Sequence, residues 1–443
     1  MEMSVMPTPA YLMTMGDGTI KQINPSTGTR VWTVSGRNDR PRESEGYHPG
    51  PVSDTDWTHA CCFCSARYLE TPPEKFRMVR DGSWRIIERV RAEQLFDTLA
   101  EFRVVPNLFE IVSYAYWHEN YGYELSLDNA NHKQAYLSTD QGLRHVMAVQ
   151  AAKMRLAGKS AEEIAQVDQD QMIRKADSFF GGGHDVVISR RHWVDGARTT
   201  AELASSGCLT PDEHEQYIRL TVHTMHNLYE VNRYARYVAV FQNWLKPAGA
   251  SFDHLHKQLV AIDEHGANAD QVVARVRENM NFFNECGVNY ASYQNLLIAE
   301  NDSAIAYAGF GHRYPTIEIY SKSASVYPWV HTDKEIRDMS DIIHAIHSAT
   351  GRDVPCNEEW HHGPPDIDVP MPWRINIKWR ISTVAGFEGD TKIYINTLSP
   401  HEILDNLSTR LRQLRAEGTI ADMKIAEECS GAPNPLKYNP ALW

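Results

Sequence analysis

No apolar run in these 443 residues approaches the roughly 20 that a membrane-spanning helix needs, so a helical membrane protein is not expected. The first residues, Met1-Glu-Met-Ser-Val-Met-Pro7, carry neither the basic nor the apolar region of a secretory signal. Cysteine is scarce: there are seven, unevenly spaced, with three crowded into Cys61-Cys62-Phe63-Cys64. That usage suits metal binding in a reducing compartment rather than a disulfide framework, so a cytoplasmic location is expected. Positive charge is in deficit, with 44 Lys and Arg against 57 Asp and Glu and a net charge of -13. This argues against broad nucleic-acid or anionic-membrane binding, whereas a nucleotide needs only a locally basic pocket. The Gly181-Gly-Gly183 turn lacks the Lys-Ser/Thr of a phosphate-binding P-loop.

What is present supports a globular chain. Hydrophobic residues make up 42% and aromatics 10%, enough for substantial cores in two or three domains. The most informative stretch runs from Phe241 to Gln258. One apolar strand, Tyr237 to Phe241, leads into it and another, Leu259 to Ile262, follows, with Gly249-Ala250-Ser251 as a tight turn between. If Asp253 to Ile262 is extended, His254, His256 and Gln258 project from one face. Three polar groups on an otherwise apolar strand are costly unless they bind something. Asn243 and Ser251 add an amide and a hydroxyl, and Gly249 lets an anion approach the backbone. An imidazole among such donors suits nucleophilic attack on phosphorus, with the donors holding the phosphoryl oxygens.

Two further groups point the same way. Cys61-x-x-Cys64 is a zinc half-site, because two thiolates three residues apart converge on one tetrahedral ion. A thioredoxin-like dithiol would need a helix next, and Glu70-Thr-Pro-Pro opposes one. Cys62 leaves the register open between Cys61 and Cys62. Arg37 and Arg40, followed by Pro41, are spaced to clamp a phosphate.

Together, Asn243, Gly249-Ala-Ser251, His254-x-His256-x-Gln258, Cys61-x-x-Cys64 and Arg37-x-x-Arg40-Pro41 resemble the galactose-1-phosphate uridylyltransferase-like family of the histidine-triad superfamily. The resemblance covers nearly the whole chain outside an inserted helical region. It departs at Leu255, where the family usually has proline. It implies that His256 is the nucleophile carrying the nucleotidyl group, that Gln258 and Ser251 hold phosphoryl oxygens, and that Arg37 and Arg40 contact substrate phosphates. It also implies one structural zinc held by Cys61, Cys64, His192 and His254. Asn107 and Leu108 resemble the segment lining the nucleoside pocket, the leucine being closer to adenylyl-handling relatives. Glu388 and Asn396 resemble residues that hold sugar hydroxyls. The family is usually homodimeric.

Residues of about 118–178 read as a helical insertion: Gln141 to Leu156 has helical apolar spacing, and Ser160-Ala-Glu-Glu163 is a capping box. Thr210-Pro-Asp-Glu213 starts another helix, expected to run through about Arg236. The order then recurs, with a strand Tyr314 to Tyr320, a helix capped by Thr332 and Glu335, Asn357 to Pro364, and Pro372 to Arg380 where His254 to Gln258 stood. The second copy has Pro372-Trp-Arg374 in place of histidines, so the chemistry is assigned to the first copy and His361 is read as a satisfied polar residue. The predicted fold is α+β, two fused histidine-triad-like halves, each an antiparallel sheet with helices on one face. Residues 1–262 form the catalytic half, and residues 263–443 a degenerate half that completes the substrate site. The proline-rich tail from Ser430 is expected to be loosely ordered.

The predicted activity moves a nucleoside monophosphate from a nucleoside diphosphate sugar to a sugar 1-phosphate or phosphate, through a covalent nucleotidyl-histidine. The alternatives are an adenylyl-type phosphorylase of dinucleoside polyphosphates or nucleoside diphosphate sugars, and a catalytically silent nucleotide-binding protein.

Overall fold

The alternating stretches form strands in the computed structural model, which describes residues 10–34 and 49–442. In chain order they are β1 (Leu12–Thr14), β2 (Ile20–Ile23), β3 (Arg30–Thr33), β4 (Phe76–Asp81), β5 (Ser83–Glu88), β6 (Phe102–Pro106), β7 (His184–Ser189), β8 (Tyr237–Trp244), β9 (His256–Ile262), β10 (Leu297–Glu300), β11 (Ala304–Ala308), β12 (Thr316–Ser321), β13 (Cys356–His361), β14 (Arg374–Trp379), β15 (Ile393–Asn396) and β16 (Lys424–Ile425). A twelve-stranded antiparallel sheet runs β16-β10-β11-β12-β14-β13-β8-β9-β7-β6-β4-β5. A four-stranded sheet, β1-β2-β3-β15, joins the N-terminal hairpin to a parallel strand from the far end of the chain.

Strands from residues 1–262 fill one end of the large sheet and strands from residues 263–443 the other. They meet where β13 pairs with β8, Asn357 opposite Asn243 and Glu359 opposite Phe241. The two antiparallel sheets are thus one continuous surface. Helices Pro211–Val231, Asp333–Thr350 and Pro400–Ala416 pack on one face. Each opens at a capping box, Thr210 with Glu213, Thr332 with Glu335, and Ser399 with Glu402, which satisfies N-terminal N–H groups that otherwise lack partners. The first of these ends before Arg236, at Val231, because Asn232 turns to an extended conformation.

The inserted region is helical from Tyr114, through Leu127–Leu137 and Asp140–Leu156 to Ser178–Gly181. It buries a small core of its own around Tyr136, Val149 and Phe179. The tail differs from expectation. Leu436 and Tyr438 are fully buried, because the Asn284 side chain pairs with both backbone groups of Leu436, at 3.0 Å each. No helix among the described residues is long and apolar enough to cross a membrane.

A buried ion pair locks the seam between the halves. Beneath the helices, Lys257 Nζ on β9 reaches across β8 to Glu358 on β13 at 2.6 Å, both side chains being 0% exposed. Gln242 accepts from the same ammonium and His347 donates to the same carboxylate. Burial pushes the Glu358 carboxyl up, but Lys257 and His347 outweigh it and hold it well below the usual range. Its contribution is therefore full above the ordinary carboxylate range and is lost as pH falls through the depressed folded value. Replacing Glu358 by alanine strands a buried cation and should cost about 3–5 kcal/mol, measurable by urea unfolding at neutral pH.

Candidate active site and metal centre

Strand alternation sends Lys257 to the face covered by those three helices and His256 and Gln258 to the opposite face of the sheet. The strand begins at His256 rather than Asp253. Residues before it bend away, and this carries His254 toward the C-x-x-C loop and the end of β7. There the Sγ atoms of Cys61 and Cys64 stand 3.9 Å apart, and the Nδ1 atoms of His192 and His254 lie 3.5–3.8 Å from them. Two thiolates and two imidazoles around a tetrahedral zinc would be separated by about 3.8 Å (S to S) and about 3.6 Å (S to N). The donor atoms thus already have the spacing of a closed tetrahedral site, and this group can hold a metal ion. Cys61, and not Cys62, belongs to this group.

Supporting contacts select the ligand state. His254 Nε2 donates to the Ser189 carbonyl at 2.7 Å, which leaves Nδ1 with its lone pair toward the thiols. Donation from the Cys61 thiol, and then the two imidazoles, pull the Cys64 thiol down against its burial, while the same hydrogen bond and burial push the Cys61 thiol up. A thiolate is the ligand form.

The His254 backbone carbonyl orients the neighbouring ring: His256 Nδ1 donates to it at 2.7 Å. Nε2 of His256 then bears the lone pair, and it has no hydrogen-bond partner among the described residues. Burial lowers this imidazole to about 4, so it is neutral at physiological pH. His256 is 5% exposed, and its ring lies edge-on to Phe63, centroids 5.4 Å apart, with Phe252 packed against Phe63 on the same side. Phe63 comes from inside the C-x-x-C motif, so one loop supplies two members of the Cys/His group and a wall for the His256 ring.

Gln258 is oriented by a relay that local spacing does not reveal. Ile111 N–H donates to His184 Nδ1 at 3.2 Å, so the proton sits on Nε2, which donates to Gln258 Oε1 at 3.0 Å. Asn107 Nδ2 donates to the same oxygen at 3.4 Å. With its oxygen committed, the Gln258 amide presents its NH₂ to the open face beside His256. Sequence reasoning missed His184. Its one signal was parity, because residues 184, 186 and 188 share a face and Val186 pairs with Gln258.

The remaining expected residues fall into three groups. Asn243 sits on β8 on the His256 face and accepts from Asn357 Nδ2 at 2.7 Å. Ser251 is exposed on the loop after Gly249, whose φ of +90° places that turn in the left-handed region glycine tolerates. Leu108 is half-buried beyond β6, next to Asn107. Arg37 and Arg40 lie outside the described residues. Glu388 and Asn396 are not beside His256 in one chain. Glu388 caps its own short helix, accepting from Ala385 N–H, and Asn396 donates to the His312 carbonyl. That carbonyl precedes β12, four strands from β9 in the sheet order, or roughly 19 Å at ~4.8 Å per strand.

Known proteins share this fold. The chain is 27% identical over 178 residues to the ADP-glucose phosphorylase of Arabidopsis thaliana, a match covering 38% of this chain and half the length of that curated relative. The crystal structure of an ADP-glucose phosphorylase from Arabidopsis thaliana with bound ADP-glucose superposes with a TM-score of 0.55 at 19% identity, over 88% of this chain and 97% of that one. A galt-like protein of the same plant gives 0.54 at 20% identity, over 88% and 98%. A family profile described as a domain of unknown function, DUF4921, matches residues 15–438. The chain therefore belongs to the DUF4921 family, and its fold is that of galactose-1-phosphate uridylyltransferase-like proteins.

Proposed function

We infer that this protein transfers a nucleoside monophosphate from a nucleoside diphosphate sugar through a covalent nucleotidyl-His256. The observation that carries the reading is the His256 ring, neutral, with Nδ1 committed to a carbonyl and Nε2 free beside the Gln258 NH₂. The Nε2 lone pair attacks the α-phosphorus as the bond to the sugar 1-phosphate breaks, and that group leaves with the electron pair. An acceptor phosphate oxygen then attacks the same phosphorus, the P–N bond breaks, and the imidazole is regenerated. Gln258 and Ser251 donate to the non-bridging oxygens, Arg37 and Arg40 offset phosphate charge, and Asn107 and Leu108 flank the nucleoside.

Of the two acceptors, inorganic phosphate with an adenylyl donor is the better supported, by the relative's identity as an ADP-glucose phosphorylase and by Leu108. Cys61, Cys64, His192 and His254 are the ligands of one zinc, which when bound fixes the His254 ring and so the carbonyl that orients His256. Glu388 and Asn396 act on the sugar from a second copy of the chain in a homodimer, which accounts for their distance from His256.

The test is incubation with ADP-glucose and UDP-glucose, followed by intact mass without acid. Gain of one adenosine monophosphate, discharged by inorganic phosphate to ADP, is expected; an unmodified chain that only binds the nucleotide sugar would eliminate this reading. His184→Ala should lower turnover about 10- to 100-fold, because the Gln258 amide loses its orientation, while nucleotide binding persists. Steady-state kinetics with a separate binding titration checks this.

A further inference from the structure

The large sheet has a second feature on its His256 face, bordered by helix Ala267–Glu278, whose arginines the proposed reaction does not use. A cavity of about 630 Å³ lies across β8, β13 and β14, with Arg374, Arg380, His361, His362 and Trp360 in its wall. Arg374 is only 9% exposed, yet among the described residues its guanidinium has no hydrogen bond and no ion pair. The guanidinium lies 5.1 Å from the centroid of the Phe283 ring, and its charge helps to hold the Glu318 carboxyl below its usual range. Glu318, the carboxylate nearby, is already held by His312 and Tyr320 at 2.8 and 2.7 Å. Arg380 also lacks a carboxylate partner among the described residues. Its Nη1 donates to Asn357, and its Nε is buried without a partner. The cavity's own carboxylate, Glu359, is neutralised by Lys378 at 2.6 Å. Two guanidinium groups with no carboxylate in hydrogen-bond contact among the described residues therefore line one half-open space in a chain whose net charge is -13.

An unpaired buried cation is costly, and a fold retains one where a ligand supplies the counter-charge. We propose that this cavity is a second ligand site, which binds the phosphate group of a small phosphate monoester, a sugar phosphate or a nucleoside monophosphate, through Arg374 and Arg380. Guanidinium forks match phosphate oxygens in pairs, and the volume suits a ligand of that size. Tyr237 and Phe241 supply an apolar wall for the ligand's body.

The internal repeat gives the site its origin. From the β13–β8 seam the sheet reads alike in both directions, β14 flanking β13 as β9 flanks β8. Arg374 is the first residue of β14, as His256 is of β9. The second copy thus keeps a phosphate place and puts a permanent cation where the first puts a nucleophile. Following the register from His256 through Asn243, Asn357 and Lys378 to Arg374, the two residues stand roughly 14 Å apart across the sheet and roughly 13 Å along it. One phosphate monoester cannot occupy both.

Calorimetric titration of the full chain with inorganic phosphate, and separately with glucose 1-phosphate, tests this. The wild type and His256→Ala should both bind phosphate at this site, whereas Arg374→Met should weaken that equivalent by at least about tenfold and Arg380→Gln by about fivefold. Adduct formation at His256 should be unchanged in Arg374→Met, and its ligand-free thermal midpoint should equal or exceed the wild type's, because an unpaired buried charge has gone. If Arg374→Met fails to fold, Arg380→Gln, which alters a half-exposed side chain, decides. Undiminished phosphate affinity in the folded variants, or no phosphate equivalent in His256→Ala, would refute the site without touching the nucleotidyl-histidine reading.

Discussion

Replacing His256 by alanine is expected to abolish the nucleotidyl adduct and lower turnover by on the order of 10⁵-fold or more, as removal of a covalent nucleophile does. The size of the effect follows from the geometry. Among the described residues, Nε2 of His256 is the free ring nitrogen beside Gln258: His184 has both nitrogens committed, and His254 spends one on Ser189 and turns the other to the thiols. No neighbouring imidazole is placed to take over. The fold should survive, because the ring's main contact is an edge against Phe63 and the sheet hydrogen bonds are unaffected. The measurement is intact mass after incubation with ADP-glucose, paired with a thermal melt. A variant that still gains one adenosine monophosphate would move the nucleophile elsewhere.

The second large effect concerns the metal centre. Purified protein should contain one zinc per chain by elemental analysis, and Cys64→Ser should lose it. Cys64 is buried, 1% exposed, and its loss leaves three ligands that cannot close a tetrahedron. Structural zinc sites contribute folding free energy directly, so the variant or the chelated wild type should melt about 5–10 °C lower. Adduct formation should slow as well, because the His254 carbonyl that holds His256 Nδ1 loses its anchor. Cys62→Ser is the control, expected to keep both zinc and midpoint. Retention of full zinc by Cys64→Ser would dismiss the four-ligand assignment.

Much of this site was legible before any coordinates. Cys61-x-x-Cys64 and His254-x-His256-x-Gln258 are local patterns in which spacing alone limits where side chains can go. The capping boxes at Thr210, Thr332 and Ser399 mark helix starts for the same reason, since a side chain reaching its own N-terminal backbone is a short-range event. Helix ends were less legible, as Val231 shows, because an end depends on what the next residue packs against.

What stayed hidden was non-local. His184 orients Gln258 from 74 residues away, Phe63 walls the reactive ring from another strand's loop, and the tail is ordered by one buried asparagine, Asn284. None of these leaves a periodicity, because each depends on which strands become neighbours.

By itself, then, the sequence put on view the groups that chemistry could use: an imidazole, an amide and a set of soft donors at short, readable spacings. The tertiary structure alone decided that the two halves share one sheet, that Lys257 and Glu358 clasp across its seam, and that Glu388 and Asn396 lie far from the reactive ring. Local rules act over a few residues of chain, whereas strand pairing and burial bring together groups more than a hundred residues apart.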